Sequence, residues 1–162
     1  MDNLSEKIIK AFEGHNEMCL VDVMTGDINV GGLVIGKEFD KKDAMNLSED
    51  IAEVEVSIKG NVFVTLKKKY DGVKIEISIW NDDSPNEISI IPELLDTGVD
   101  PEIATKALLE ESKKWLRKHI VETPSEESEY AIVYKFEWGK IIAMCIEDLH
   151  YGLTGGEISV TY

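Results

Sequence analysis

A single arginine, Arg117, accompanies sixteen lysines, and these bases face 32 acids to give a formal net charge of −15. Arginine supplies the planar fork that contacts phosphates and guanine edges through paired hydrogen bonds. Neutralisation of phosphates by basic side chains provides most nucleic-acid affinity. A chain this poor in arginine and rich in carboxylates is a poor nucleic-acid binder, and no direct contact with nucleic acid is expected. Cysteine is nearly as scarce, with only Cys19 and Cys145. Neither belongs to a Cys-x-x-Cys pair, and each lies in an apolar, strand-like run. Both therefore read as small buried hydrophobes rather than as metal ligands or a disulfide.

Long apolar runs are also missing. The longest, residues 141–146, falls far short of the roughly 20 residues that span a bilayer, so no membrane association is expected. The first residues, Met1, Asp2 and Asn3 through Glu6, carry neither the basic nor the apolar region of a signal peptide. The expected compartment is the cytoplasm. Internal repeats, low-complexity segments and domain linkers are absent too.

What is present suits one folded unit. With 162 residues, 43% of them hydrophobic and 30% charged, the composition is that of a globular chain, and one domain over 1–162 is expected. Residues 3–13 predict a short amphipathic helix, with Leu4, Ile8, Ile9 and Phe12 at helical spacing and Gly14 to stop it. Strands are predicted over 18–24 and 28–35, joined by a turn at Thr25, Gly26 and Asp27. Gly31, Gly32 and Gly36 weaken the second strand, and the polar stretch 37–50 reads as a loop.

The clearest pattern is a meander. Ala52, Val54, Val56 and Ile58 alternate with polar residues, Gly60-Asn61 turns the chain, and Val62, Val64 and Leu66 form the next inward face. Asp71-Gly72 is a tight-turn signal, after which Val73, Ile75, Ile77 and Ile79 alternate again. Residues 87–91 add a short strand. A second helix begins at Asp100, a capping residue followed by Pro101, and carries Ile103, Ala107, Leu108, Trp115 and Ile120 as an apolar stripe. Residues 130–136 and 141–146 predict a central hairpin around Trp138-Gly139, and Ile158, Val160 and Tyr162 a final strand. The fold class expected is α+β: a mostly antiparallel sheet, meander plus C-terminal hairpin, packed by two helices.

Motifs for chemistry are incomplete. His15-Asn16-Glu17 matches half of a zinc deaminase signature, but the Pro-Cys-x-x-Cys half is missing. His150, two residues after Asp148, is the one general-base candidate, and with nearby carboxylates it supports a small hydrolase as an alternative function. Gly152 to Gly156 has the composition of a phosphate loop but no lysine and no following helix, so it reads as a flexible turn. The oxygens of residues 81–87 lack the central Gly and terminal Glu of a calcium loop. No cofactor and no metal are expected.

Acid clustering carries the functional expectation. No base lies between Lys74 and Lys106, a stretch holding Asp82, Asp83, Glu87 and Asp96. A second base-free run holds Asp43, Glu49, Asp50, Glu53 and Glu55, and a third Glu122, Glu126, Glu127 and Glu129. Uniform acidity would serve solubility alone, whereas single-sign clusters steer basic partners. The expected function is therefore a non-enzymatic acidic protein that neutralises a basic partner, such as a nuclease or another nucleic-acid-handling enzyme. Immunity proteins that block toxins and inhibitors that mimic nucleic acid are concrete members of this class. Its contacts are expected at Asp82, Asp83, Glu87, Asp96, Glu126 and Glu127, with Trp80 as an aromatic anchor. An acidic secretion-type chaperone, using apolar grooves, is the other binding alternative.

The incomplete ligand sets generate a first prediction. Zn²⁺ or Ca²⁺ should leave the melting temperature unchanged, whereas a site saturated a hundredfold over its Kd would add about 2.7 kcal/mol. A rise that chelator reverses would restore the enzyme alternative.

Overall fold

Period-two alternation over residues 52–79 folds as the meander it predicts. The computed structural model describes residues 19–81, 86–94 and 100–162. Among them the chain is α+β, with eleven strands in two antiparallel sheets and two helices packed with them. The expected helix over 3–13 lies outside the described residues.

The larger sheet has eight strands: β4 (Ala52–Val56), β5 (Val62–Leu66), β6 (Val73–Ile79), β7 (Glu87–Pro92), β8 (Glu126–Ser128), β9 (Ala131–Phe136), β10 (Gly139–Asp148) and β11 (Gly152–Thr161). Their order is β4-β5-β6-β7-β11-β10-β9-β8, so two meanders meet where β11 pairs with β7. The β5–β6 turn forms as the sequence signals. Asp71 and Gly72 both take positive φ, 51° and 73°, and Tyr70 and Val73 exchange backbone hydrogen bonds of 2.9 Å. That geometry matches the right-handed twist of the flanking strands.

One face of this sheet is the core side. Val62, Val64, Leu66, Val73, Ile75, Ile77, Ile79, Ile88, Ile90, Ile158 and Val160 are all buried. The opposite face carries a register row from Glu53 through Thr65, Glu76, Ser89, Ser159, Ile142 and Val133 to Glu126. At the start of the meander the inward alternation fails. Val54 is half-buried, Val56 is exposed at 56% and Ile58 fully so. These residues lie on the outermost strand and in its turn, beyond the layer that covers the core face.

That layer has two parts. The first is the long helix (Pro101–His119), here α2, which lies over β11 with β10 and β7 beside it. Asp100 caps it by accepting the Glu102 N–H at 3.0 Å. Its buried stripe is Leu109, Ser112, Lys113, Trp115 and Leu116, while Ile103 is exposed. Of the expected stripe, Trp115 and Ile120 are buried, Ala107 and Leu108 half-buried and Ile103 exposed, and two polar residues share the seam. Ser112 Oγ donates to the Gly156 carbonyl at 2.6 Å. Lys113 buries its stem and donates to the Ser128 carbonyl at 2.8 Å, tying the helix to β8.

The second part is the three-stranded sheet of β1 (Cys19–Val21), β2 (Ile28–Val30) and β3 (Leu33–Ile35), together with α1 (Lys41–Met45). The run 28–35 is a hairpin rather than one strand, because Gly31 and Gly32 turn it with positive φ. The expected loop 37–50 contains α1, fixed by a capping box between Asp40 and Asp43. Trp138 Nε1 donates to the Val23 carbonyl and Tyr162 Oη to the Gly26 carbonyl, clamping the β1–β2 turn to the large sheet. Cys19, Ile28, Val30, Leu33, Ile35, Phe39 and Ala44 join the large sheet's buried residues in one hydrophobic cluster.

The expected flexible turn at Gly152 to Gly156 is part of β11. Register shifts there, between Ala143 and Cys145 of β10, and Gly155 and Gly156 have φ near +96° and +99°. A Cβ on Gly156 would stand 2.9 Å from the Thr105 carbonyl and 3.2 Å from the Leu109 nitrogen. Gly156→Ala should therefore lower stability by about 2–4 kcal/mol, and Ser112→Ala by about 1–2 kcal/mol. Urea unfolding checks both.

Candidate functional site

The residues singled out by the sequence are scattered. Asp82, Asp83 and Asp96 lie outside the described residues. Trp80 follows β6, 36% exposed, with its ring edge-on to Phe63 at 6.0 Å. It lines a shallow cleft with Lys37, Asp40, Lys41, Lys42, Asn81 and Asn86, so its described neighbours include three bases and one acid. Glu87 opens β7 and accepts a hydrogen bond from Ser159 Oγ at 2.8 Å. Glu126 and Glu127 belong to β8, at the far edge of the sheet, five strands from β6. At about 4.8 Å per strand that is roughly 24 Å. Both are already paired, Glu126 with Lys135 at 2.9 Å and Glu127 with Arg117. The Lys135 ammonium, by hydrogen bond and charge, holds the Glu126 carboxyl below its ordinary pKa.

Asp148 Oδ1 accepts the backbone N–H groups of His150 and Tyr151, at 2.7 and 3.0 Å, so this carboxylate builds the β10–β11 turn. His150 itself is exposed. His15 and Glu17 lie outside the described residues. Cys145 lines a cleft of about 430 Å³ with Glu102, Lys106, Tyr130 and Glu147. Burial, reinforced by Glu157, pushes its thiol upward, opposite to the shift that makes a nucleophile. Burial and the Asp71 charge push the Cys19 thiol up to about 12. Among the described residues, no three His, Cys, Asp or Glu side chains are grouped to hold a metal ion.

One charge cluster was not visible in the sequence. Asp71, in the β5–β6 turn, contacts His119 Nε2 at 2.5 Å and Lys118 Nζ at 3.2 Å, both at the end of α2. His119 also stacks on Trp115 at 4.0 Å. The pairing joins residues 48 apart, beyond the reach of local spacing rules. Only the Asp-Gly turn and the basic helix end hinted at its two halves.

The second base-free run occupies a different place. Glu53 and Glu55 stand on β4, with Glu49 and Asp50 just before it and Asp43 in α1. Among the described residues, β4 pairs with β5 alone and is the free edge of the sheet. Ser57 N–H donates to the Asn61 carbonyl, and Lys67 N–H to the Ile51 carbonyl. In an antiparallel ladder this makes Glu53 and Glu55 the residues bonded to β5. The N–H and C=O groups of Val54 and Val56 consequently point away from the sheet. The bases that flank the run are Lys42, in α1, and Lys59, in the turn, and Lys67 stands at the exit of β5. No family model matches the chain, and neither a curated protein nor a solved structure shows significant similarity to it.

The Asp71 cluster gives a pH prediction. Burial alone would raise the Asp71 pKa, but hydrogen bonds from Lys118 and His119 and their charges outweigh it, leaving the net value lowered. A lowered folded-state pKa contributes stability above the ordinary carboxylate range and loses it as pH falls through the folded value. Asp71→Asn keeps a residue suited to the turn and removes the charge. It should cost about 1 kcal/mol at neutral pH, and the difference from wild type should vanish near about pH 2. Urea midpoints at the two pH values provide the measurement.

Proposed function

We propose that this protein is a non-enzymatic binder that captures a basic protein partner through its acidic surface. One observation carries the reading: the base-free run from Asp43 to Glu55 converges on the free edge of the sheet. Among the described residues, Glu49, Asp50, Glu53 and Glu55 have no ion-pair partner, whereas Glu126 and Glu127 are neutralised. Carboxylates left unpaired keep their field for an incoming partner and speed its capture. Partners of this kind include enzymes that grip nucleic acid, whose phosphate-binding surfaces are basic. An immunity protein or a nucleic-acid mimic would act this way, within the cytoplasm.

The hydrolase alternative gains no support from Asp148, whose Oδ1 accepts the backbone N–H groups of His150 and Tyr151. The chaperone alternative calls for an apolar groove. The cleft beside Cys145 contains Glu102, Lys106 and Glu147 among its lining residues.

Stopped-flow association with the purified basic partner over a salt series tests the proposal. The rate should fall steeply as salt rises, because the Debye length shrinks from about 30 Å at 0.01 M to about 8 Å at physiological ionic strength. Replacing Glu49, Asp50, Glu53 and Glu55 by their amides should slow low-salt association about tenfold and leave folding intact. The set Asp82→Ser, Asp83→Ser, Glu87→Ser reports on the longer base-free stretch in the same assay. Equal rates for all proteins with flat salt dependence would leave the acids serving solubility alone.

A further inference from the structure

The free edge has more than charge. We infer that β4 is a strand-addition site: an extended segment of the basic partner, alternating apolar residues with Lys or Arg, pairs with Val54 and Val56 and extends the sheet to a ninth strand. The inference rests on the proposed function and names its contact surface.

Three independent features converge there. The first is backbone chemistry. Val54 and Val56 direct their N–H and C=O groups outward, with no partner among the described residues, and exposed edge groups of this kind template an incoming strand. The second is exposed apolar surface in line with the core face. Val54 is half-buried, Val56 is 56% exposed and Ile58 is fully exposed. An added strand places every second side chain beside Ala52, Val54 and Val56, which continues the buried face of β5 and β6 outward. The third is charge. The intervening positions of such a strand stand beside Glu53 and Glu55 on the open face, with Glu49 and Asp50 at one end. Cross-strand pairs of opposite charge stabilise, and like charges opposite each other destabilise.

Charge also selects the occupant. A second copy of this chain pairing through β4 would bring Glu53 and Glu55 against their own equivalents, under a formal net charge of −15 on each molecule. A basic strand meets the complementary sign at the same positions. The other end of the sheet offers no comparable site. There β8 has three residues, and its carboxylates Glu126 and Glu127 are tied to Lys135 and Arg117.

The test uses the full chain and two synthetic peptides of identical composition, one alternating Val with Arg and one with its arginines in a block. Calorimetry should show the alternating peptide binding at least about tenfold tighter at equal salt. Amide exchange of Val54 and Val56 should slow about tenfold or more when that peptide saturates. Val56→Pro deletes one outward N–H at an edge position that tolerates proline, keeps every charge, and should abolish the preference. Glu53→Lys with Glu55→Lys should weaken both peptides. The inference fails if the two peptides bind equally, or if Val54 and Val56 exchange unchanged in the complex. In that outcome, weakening by the charge-reversed variant would still uphold capture of a basic partner. If that variant also binds both peptides as wild type does, the functional reading fails as well. Sedimentation showing a dimer that Val56→Pro dissolves would assign the edge to a second copy and overturn the inference. Unchanged exchange in the wild-type complex refutes strand addition even where Val56→Pro fails to fold.

Discussion

At Gly156 the backbone of β11 comes so close to α2 that a Cβ would stand 2.9 Å from the Thr105 carbonyl and 3.2 Å from the Leu109 nitrogen. Ser112 locks this approach by donating to the Gly156 carbonyl at 2.6 Å. Much of the arrangement depends on that contact. It seats the helix over β11, with β7 and β10 beside it, and it brings Leu109 and Leu116 into the core at 2% and 0% exposure. A buried leucine contributes about 1.5–3 kcal/mol relative to an exposed one. The helix cannot also cover the β4–β6 half of the sheet, since one helix is only about 10 Å wide. The second cover is the three-stranded sheet with α1, held by Trp138 on Val23 and Tyr162 on Gly26. Its reach ends before Val56 and Ile58, and the edge strand emerges from the core there.

How much of this could be read from the sequence follows from the range of each interaction. The β5–β6 hairpin was legible because Asp71-Gly72 specifies its turn within four residues, and the start of α2 because Asp100 and Pro101 act within one turn. Alternation gave the inward faces of β5 and β6 for the same reason. Val56 and Ile58 alternate equally well yet are exposed, since burial depends on what lies above a strand, and that is settled by distant chain segments. Ile103 is exposed and Lys113 buried because the seam against β11 and β8 admits polar groups with carbonyl partners at hand. The glycines near 155 looked like a turn because composition alone does not distinguish a loop from a bulge under a helix.

For the proposed site, the sequence carries the kind of feature more than its place. Base-free acidic runs stand out in one dimension, and three of them were visible. Which run has a field to offer a partner depends on where the bases fold. Arg117 and Lys135 come from α2 and β9 to neutralise Glu127 and Glu126, pairings no local pattern announces. Among the described residues, Trp80 stands beside Lys37, Lys41 and Lys42 as well as Asp40. The run ending at Glu55 gained significance once its strand proved to be the sheet's outermost.

The two ends of the sheet face the same hazard and meet it differently. Any open sheet leaves two rows of unpaired backbone groups, and proteins blunt them with short strands, proline or charge. At β8 the blunting is by length and pairing: three residues follow closely on Pro124, and Glu126 and Glu127 are already paired with Lys135 and Arg117. At β4 the blunting is by charge of one sign alone, on a longer strand with an exposed valine and an exposed isoleucine in the turn that follows. Charge of one sign does not close an edge; it makes the edge selective. On the proposed reading, the edge disfavours copies of this acidic chain and favours a segment of opposite charge, so the same carboxylates would oppose self-pairing and set the chemistry of what the edge accepts.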